Sequence, residues 1–134
     1  MKYTKFQDLS LEEKKEILEW REHSEIKKWM VDQSLNLYNE IIKLDDMGVI
    51  TVKKFENYII LGLFKNLEKN SVGSKIMEFA LWYVFKVLRK KEIVVYVMEK
   101  NKRAIHLYEK FGFCKIGRYK NVIKMRKYDT VFNQ

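Results

Sequence analysis

The sequence predicts an α/β chain built on a mixed, mostly antiparallel sheet flanked by helices. Two observations carry that reading. The hydrophobic period switches several times between about 3.6 and 2 along the chain. The order of the resulting elements is strand, helices, hairpin, helix, strand, helix, hairpin, not the strand–helix alternation of a doubly wound fold.

Lys2 to Phe6 alternates polar and aromatic residues and reads as a first strand. Ser10 then opens LSLEEKKEILEW, with Glu13 three residues later completing a capping box. Leu11, Ile17, Leu18 and Trp20 give that helix its apolar stripe. A second helical piece runs from Ser24 to Met30. A third, from Leu35 to Leu44, carries Leu37, Ile41 and Leu44 at helical spacing. After Gly48 the period changes to that of a hairpin, Val49 to Val52 and Tyr58 to Phe64. Gly62 inside its second strand predicts a bulge or a close approach by another group. Asn66 to Ser71 is a polar loop. A long, heavily buried helix is expected from Gly73 to about Lys90. Glu92 to Met98 is a β-branched run and reads as a central strand. Lys102 to Lys110 is a helix closed by Gly112 in the C′ position. Phe113 to Ile116 and Val122 to Tyr128 form a last hairpin around Gly117, with Cys114 in the core.

The 134 residues fit one domain, residues 1–134, and 47% of them are hydrophobic, enough to build a core. One cysteine excludes an internal disulfide and any multi-cysteine zinc site. His23 and His106 match no metal-ligand spacing, so no metal is expected. No apolar leader opens the chain, and Phe79 to Phe85 is far below the ~20 residues of a membrane span. A soluble, cytoplasmic domain without membrane partner is the expectation. The net charge of +9 favours anionic partners, but its lysines are spread over the whole chain. Without a basic block, nucleic acid is not the expected partner.

Two segments carry chemistry. In YIILGLF–KNLEKNSVGSKI a strand enters a helix through a loop of small residues. Such a loop aims free backbone N–H groups and the helix dipole at one point, which suits a phosphate or pyrophosphate; an ordinary capped helix start is the alternative. In VMEKNKRAIHLYEKFGF, Asn101 stands at a helix start and Tyr108 lies one to two turns in. Asn101 also reads as a plain N-cap and Tyr108 as a core aromatic.

Residues 97–113 resemble the fourth-helix signature of the GCN5-related N-acetyltransferases, V-x-x-x-N-x-x-A-I-x-L-Y-E-K-x-G-F. Val97, Asn101, Ala104, Ile105, Leu107, Tyr108, Glu109, Lys110, Gly112 and Phe113 match. Residues 68–76 resemble the family's acetyl-CoA pyrophosphate loop, R/Q-x-x-G-x-G/A. There Glu68 replaces Arg or Gln, Ser71 replaces the first Gly, and Gly73 matches. An acidic Glu68 has to point to solvent if the loop takes a pyrophosphate. The family usually has a further strand before the 48–64 hairpin, so the sheet is expected to be one strand short, or the third helical piece to be partly a strand. LEWREHSEIKKWM is similar to the opening of a subgroup of the family that includes an enzyme acetylating a UDP-linked amino-deoxy sugar; ribosomal-protein and polyamine acetyltransferases share a related opening. Trp20, Arg21, His23, Trp29 and Met30 match the subgroup, and Glu22 replaces an Asn.

The resemblance implies direct acetyl transfer from acetyl-CoA to an amine. It implies co-substrate contacts from Leu63, Phe64, Asn70, Ser71, Val72, Gly73, Ser74, Asn101, Tyr108 and Lys110. Tyr108 becomes the acid that protonates the leaving thiolate, a transfer about 2 kcal/mol uphill for a phenol near 10 and a thiol near 8.5. Glu99 is the carboxylate nearest the strand end and the candidate base. Tyr96 stands where the nearest relatives are expected to carry an acid. Arg21, Trp29, Met30, Thr51 and Lys54 are the acceptor candidates, with Arg21 and Lys54 meeting the diphosphate of a nucleotide-sugar. Acetylation of a protein N-terminus or a polyamine stays open, as does a non-catalytic module, and the oligomeric state is left open with a homodimer as one form.

Overall fold

The structure is a computed structural model and describes residues 2–30 and 38–130. Seven strands form one sheet in the order β1-β2-β3-β4-β5-β7-β6. They are β1 (Tyr3–Lys5), β2 (Glu40–Leu44), β3 (Gly48–Lys54), β4 (Tyr58–Lys65), β5 (Glu92–Met98), β6 (Cys114–Tyr119) and β7 (Val122–Tyr128). The helices are α1 (Leu11–Glu22), α2 (Ser24–Lys27), α3 (Gly73–Trp82) and α4 (Lys102–Lys110). Every neighbouring pair is antiparallel except β4 and β5.

Two apolar layers cover opposite faces of the sheet. Strand alternation sends Ile50, Val52, Ile59, Leu61, Ile93 and Val95 to the layer that holds Ile76, Met77 and Ala80 of α3 and Ile105 of α4. Val49 and Phe64 go the other way, to Leu9 and Ile17 beside α1, with Ile26 and Met30 against them. The capping box of α1 forms as expected. Glu13 N–H donates to Ser10 Oγ at 3.1 Å, and Ser10 N–H donates to Glu13 Oε1 at 3.2 Å.

The third helical piece is corrected. Glu40–Leu44 is a strand between β1 and β3, and Leu35 and Leu37 lie outside the described residues. The sheet is therefore not one strand short, because β2 fills the place before the hairpin. The long helix also changes character. After Trp82 it continues as a π turn, Tyr83–Val87, in which Leu88 N–H donates to Tyr83 O at 2.9 Å. Trp82 and Val87 stay exposed, while Tyr83, Val84 and Phe85 are buried. Cys114 is exposed rather than buried in the core, since no residue of the outer strand β6 is covered.

Tyr83 donates its hydroxyl proton to Glu40 Oε1 at 2.5 Å. The same carboxylate meets Lys54 Nζ at 2.8 Å and Lys5 Nζ at 3.3 Å. Burial opposes ionisation of Glu40, but the hydrogen bonds from Lys54 and Tyr83 win and hold its carboxyl below the usual range. Burial, then the hydrogen bond to Glu40, pushes the Tyr83 phenol well above its usual value. Burial alone pushes Tyr108 up to about 12. A phenol raised in the fold stabilises it fully below the unfolded value near 10 and loses that contribution as pH rises through the folded value. Ultraviolet titration is therefore expected to show Tyr83 and Tyr108 ionising late, with unfolding bringing them back to about pH 10. Native-state ionisation of Tyr83 and Tyr108 at the unfolded value would contradict this.

Candidate active site

β4 and β5 pair only at Tyr58–Glu92, Ile59–Ile93 and Ile60–Val94. Beyond Ile60 and Val94 both strands continue, to Lys65 and Met98, without pairing to each other. Their facing edges border a cleft of about 1390 Å³. That exceeds the roughly 300–1,000 Å³ of a pocket for one small ligand, so the cleft has room for two reactants. Its lining comes from both sides of the sheet. Trp29, Met30, Thr51 and Lys53 line it on the α1–α2 side; the 70–74 loop and α4 line it on the other.

The loop and α3 prepare one end for an anion. Ser71 has φ of +57°, a conformation that is strained for a side-chain-bearing residue. Val72 at the α3 N-cap supplies no side-chain cap, whereas Ser10 caps α1 and Asn101 caps α4 by accepting from Ala104 N–H at 3.3 Å. The first-turn N–H groups of α3 thus lack a side-chain acceptor. Lys110 Nζ reaches Ser74 Oγ at 3.1 Å and places a cation beside them. Lys100, Lys102 and Arg103 also line the cleft. Gly73 also lines it, and a Cβ there would meet only Leu107 Cδ2, at an ordinary 3.5 Å. The protein's own packing therefore does not require a glycine at 73. Glu68 is exposed and lies outside the cleft lining, so it does not oppose an anion there.

Leu63, Phe64, Asn70, Ser71, Val72, Gly73, Ser74, Asn101, Tyr108 and Lys110 all line the cleft together, as do Trp29, Met30 and Thr51. Successive N–H groups along a strand point to opposite edges. The β3–β4 register runs unbroken from Gly48–Lys65 to Lys54–Ile59. Hence only one of the Leu63 and Phe64 N–H groups faces the cleft.

Three expected residues are elsewhere. Lys54 is committed to Glu40 on the α3 side of β3. Alternation turns its neighbour Lys53 to the cleft instead, a parity that sequence leaves open until the hairpin register is known. Arg21 pairs with Glu22 at 2.6 Å and is not in the cleft lining. Glu99 pairs with Arg118 and is likewise outside it. The one carboxylate among the described lining residues is Glu25, which Lys28 holds at 2.9 Å. The hydrogen bond from Lys28 keeps the Glu25 carboxyl below its usual range, so it is ill suited as a base. Tyr96 lines the cleft with Lys124 Nζ 5.9 Å from its ring centre.

Tyr108 is buried, tilted against Phe113 with ring centres 5.6 Å apart. Its hydroxyl has no hydrogen-bond partner among the described residues. A phenol near 12 facing a thiol near 8.5 makes proton transfer roughly 5 kcal/mol uphill. The same apolar surroundings also raise a thiol, because thiolate is charged too. The gap thereby narrows back toward the ~2 kcal/mol of the unperturbed pair.

The family model of the acetyltransferase (GNAT) family matches residues 5–113. The chain belongs to that family. The match takes in the parted strands, the 70–74 loop and α4, and identifies acetyl-CoA as the co-substrate of this N-acetyltransferase. No curated protein sequence matches the chain. Among solved structures it is similar to the Campylobacter jejuni N-acetyltransferase PseH in complex with acetyl coenzyme A. The TM-score is 0.78 and the identity 21%, over 96% of this chain and 98% of that one. It is also similar to spermidine N-acetyltransferase from Vibrio cholerae in complex with CoA and spermine. There the TM-score is 0.76 and the identity 17%, over 99% and 98%. These likenesses show the GNAT fold. Among the described residues no group of His, Cys, Asp and Glu could hold a metal ion, and no helix is long and apolar enough to cross a membrane.

Proposed function

We propose that this GNAT protein acetylates a primary amine on an anionic small molecule, best a nucleotide-linked amino-deoxy sugar of the pseudaminic acid type. The carrying observation is the charge of the acceptor end. Lys53 lines it beside Trp29, Met30 and Tyr38, and its one described carboxylate, Glu25, is paired with Lys28. A polyamine needs free carboxylates there, and a diphosphate needs cations. Lys53 takes the phosphate role expected of Lys54. Trp29 and Met30 offer an apolar wall to a deoxy-sugar.

Acetyl-CoA lies along the free edges of β4 and β5, its pyrophosphate at the uncapped start of α3. The amine nitrogen attacks the thioester carbonyl carbon and forms the C–N bond. The carbonyl oxygen takes the displaced electron pair and is held by the cleft-facing N–H of β4. On collapse the C–S bond breaks and sulfur leaves with its electron pair. Tyr108 gives that sulfur a proton, and the proton lost from nitrogen returns to the phenolate through water. No carboxylate base is assigned, in keeping with the pairing of Glu25 and Glu99. The test is thiol release from acetyl-CoA with a UDP-linked 4-amino-4,6-dideoxy sugar or with spermidine. The sugar is expected to give a kcat/KM at least about tenfold higher, a difference of ~1.4 kcal/mol in transition-state stabilisation. The reverse preference would overturn this reading in favour of a polyamine.

A further inference from the structure

We propose that the Thr51 hydroxyl, reaching the cleft across Gly62, orients the attacking amine by accepting a hydrogen bond from it. This deepens the acetyl-transfer reading and rests on it.

Glycine weakens a strand interior, yet Gly62 stands in the middle of the eight-residue β4. The usual reasons for it are missing. Thr51–Gly62 is one step in an unbroken register, so there is no bulge, and Gly62 is not in the left-handed region that favours glycine. What the glycine provides is space. Thr51 Oγ1 occupies the place that a Cβ at position 62 would need, closer than real Cβ contacts allow. Thr51 belongs to β3, on the side of β4 away from the cleft. Its side chain nonetheless lines the cleft together with Gly62, with Oγ1 lying over Gly62 in the notch that the glycine leaves.

The notch lies two residues past Ile60, where β4 and β5 part. Leu63 and Phe64, one of which turns its N–H to the cleft, follow directly. Thr51 is 3% exposed, and its hydroxyl makes no hydrogen bond among the described residues. That hydroxyl is not among the fully buried polar atoms that lack a partner, so it stays open to the cleft and free to pair with a group that enters. The acceptor amine is that group. Lys53, two residues along the same strand face, marks this as the acceptor side. With Glu25 held by Lys28, no free carboxylate among the described lining residues competes for the amine N–H. A threonine hydroxyl does not remove the proton. It accepts from one N–H and thereby turns the nitrogen lone pair toward the thioester carbon.

The experiment measures thiol release by the full chain with acetyl-CoA and two acceptors in parallel, a UDP-linked amino sugar and spermidine. Thr51→Val removes the hydroxyl and keeps the shape; Thr51→Ser keeps the hydroxyl. Thr51→Val is expected to lower kcat at least about tenfold while acetyl-CoA affinity by calorimetry stays within about twofold. Thr51→Ser is expected to hold kcat within about threefold. Wild-type kcat in Thr51→Val would overturn the proposal. An equal loss in Thr51→Ser would also overturn it, because the missing methyl and not the hydroxyl would then be the cause. Should Thr51→Val not fold, Thr51→Ala is read by the same criteria, since it only vacates the notch. A wild-type protein that binds acetyl-CoA and acetylates neither acceptor would overturn the reading on which the proposal rests.

Discussion

Tyr108→Phe is expected to fold normally, bind acetyl-CoA as tightly as the wild type, and turn over at least tenfold more slowly. The ring is the packing element: it is buried and tilted against Phe113. The hydroxyl has no described protein partner, so its loss leaves no buried group unsatisfied. What goes is the proton donor for the leaving sulfur. The thiolate then has to depart unprotonated or take its proton from water, and a positioned acid is worth about 10²–10⁴-fold. Steady-state thiol release with saturating acetyl-CoA, beside calorimetric affinity, separates the two effects. Unchanged kcat would remove Tyr108 from the mechanism.

The second large effect is expected from Gly73→Glu. A Cβ at this position meets only Leu107, so the variant is expected to fold and keep its melting temperature within a few degrees. Its carboxylate, however, is set at the uncapped first turn of α3, on the cleft wall beside Lys110 and Ser74. There it takes the N–H groups and cation that otherwise serve a pyrophosphate, and repels what remains. Acetyl-CoA affinity is expected to fall at least tenfold, about 1.4 kcal/mol. Gly73→Ala, which adds bulk without charge, should fall between. Equal affinity in all three proteins would mean that the pyrophosphate binds elsewhere.

Much of this arrangement was legible in the residues because it is local. Ser10 and Glu13 announce α1 within four residues. Asn101, the amphipathic run to Lys110 and Gly112 mark both ends of α4. The left-handed φ of +91° at Gly112 shows why glycine follows that helix. The GNAT signature over residues 97–113 lies on this same unit, which is why the fold class and Tyr108 could be read together. What was not legible is set by pairing between distant segments. EIIKL is a short apolar run whose helical and strand periods look alike, and only its hydrogen bonding to β1 on one side and β3 on the other makes it a strand. Lys53 and Lys54 exchange roles because one residue of register decides which faces the cleft. Glu40 captures Lys54 and Tyr83 from 14 and 43 positions away, contacts with no local signal. Cys114 is apolar enough for a core, but no element covers the outer strand that carries it.

The cleft between β4 and β5, with the 70–74 loop at one end, is expected to hold acetyl-CoA despite Glu68 and Ser71. Calorimetric titration of the purified protein with acetyl-CoA tests it most directly. One molecule is expected to bind per chain with a dissociation constant on the order of micromolar. Absence of binding in a folded protein would contradict it and leave a GNAT fold without its co-substrate.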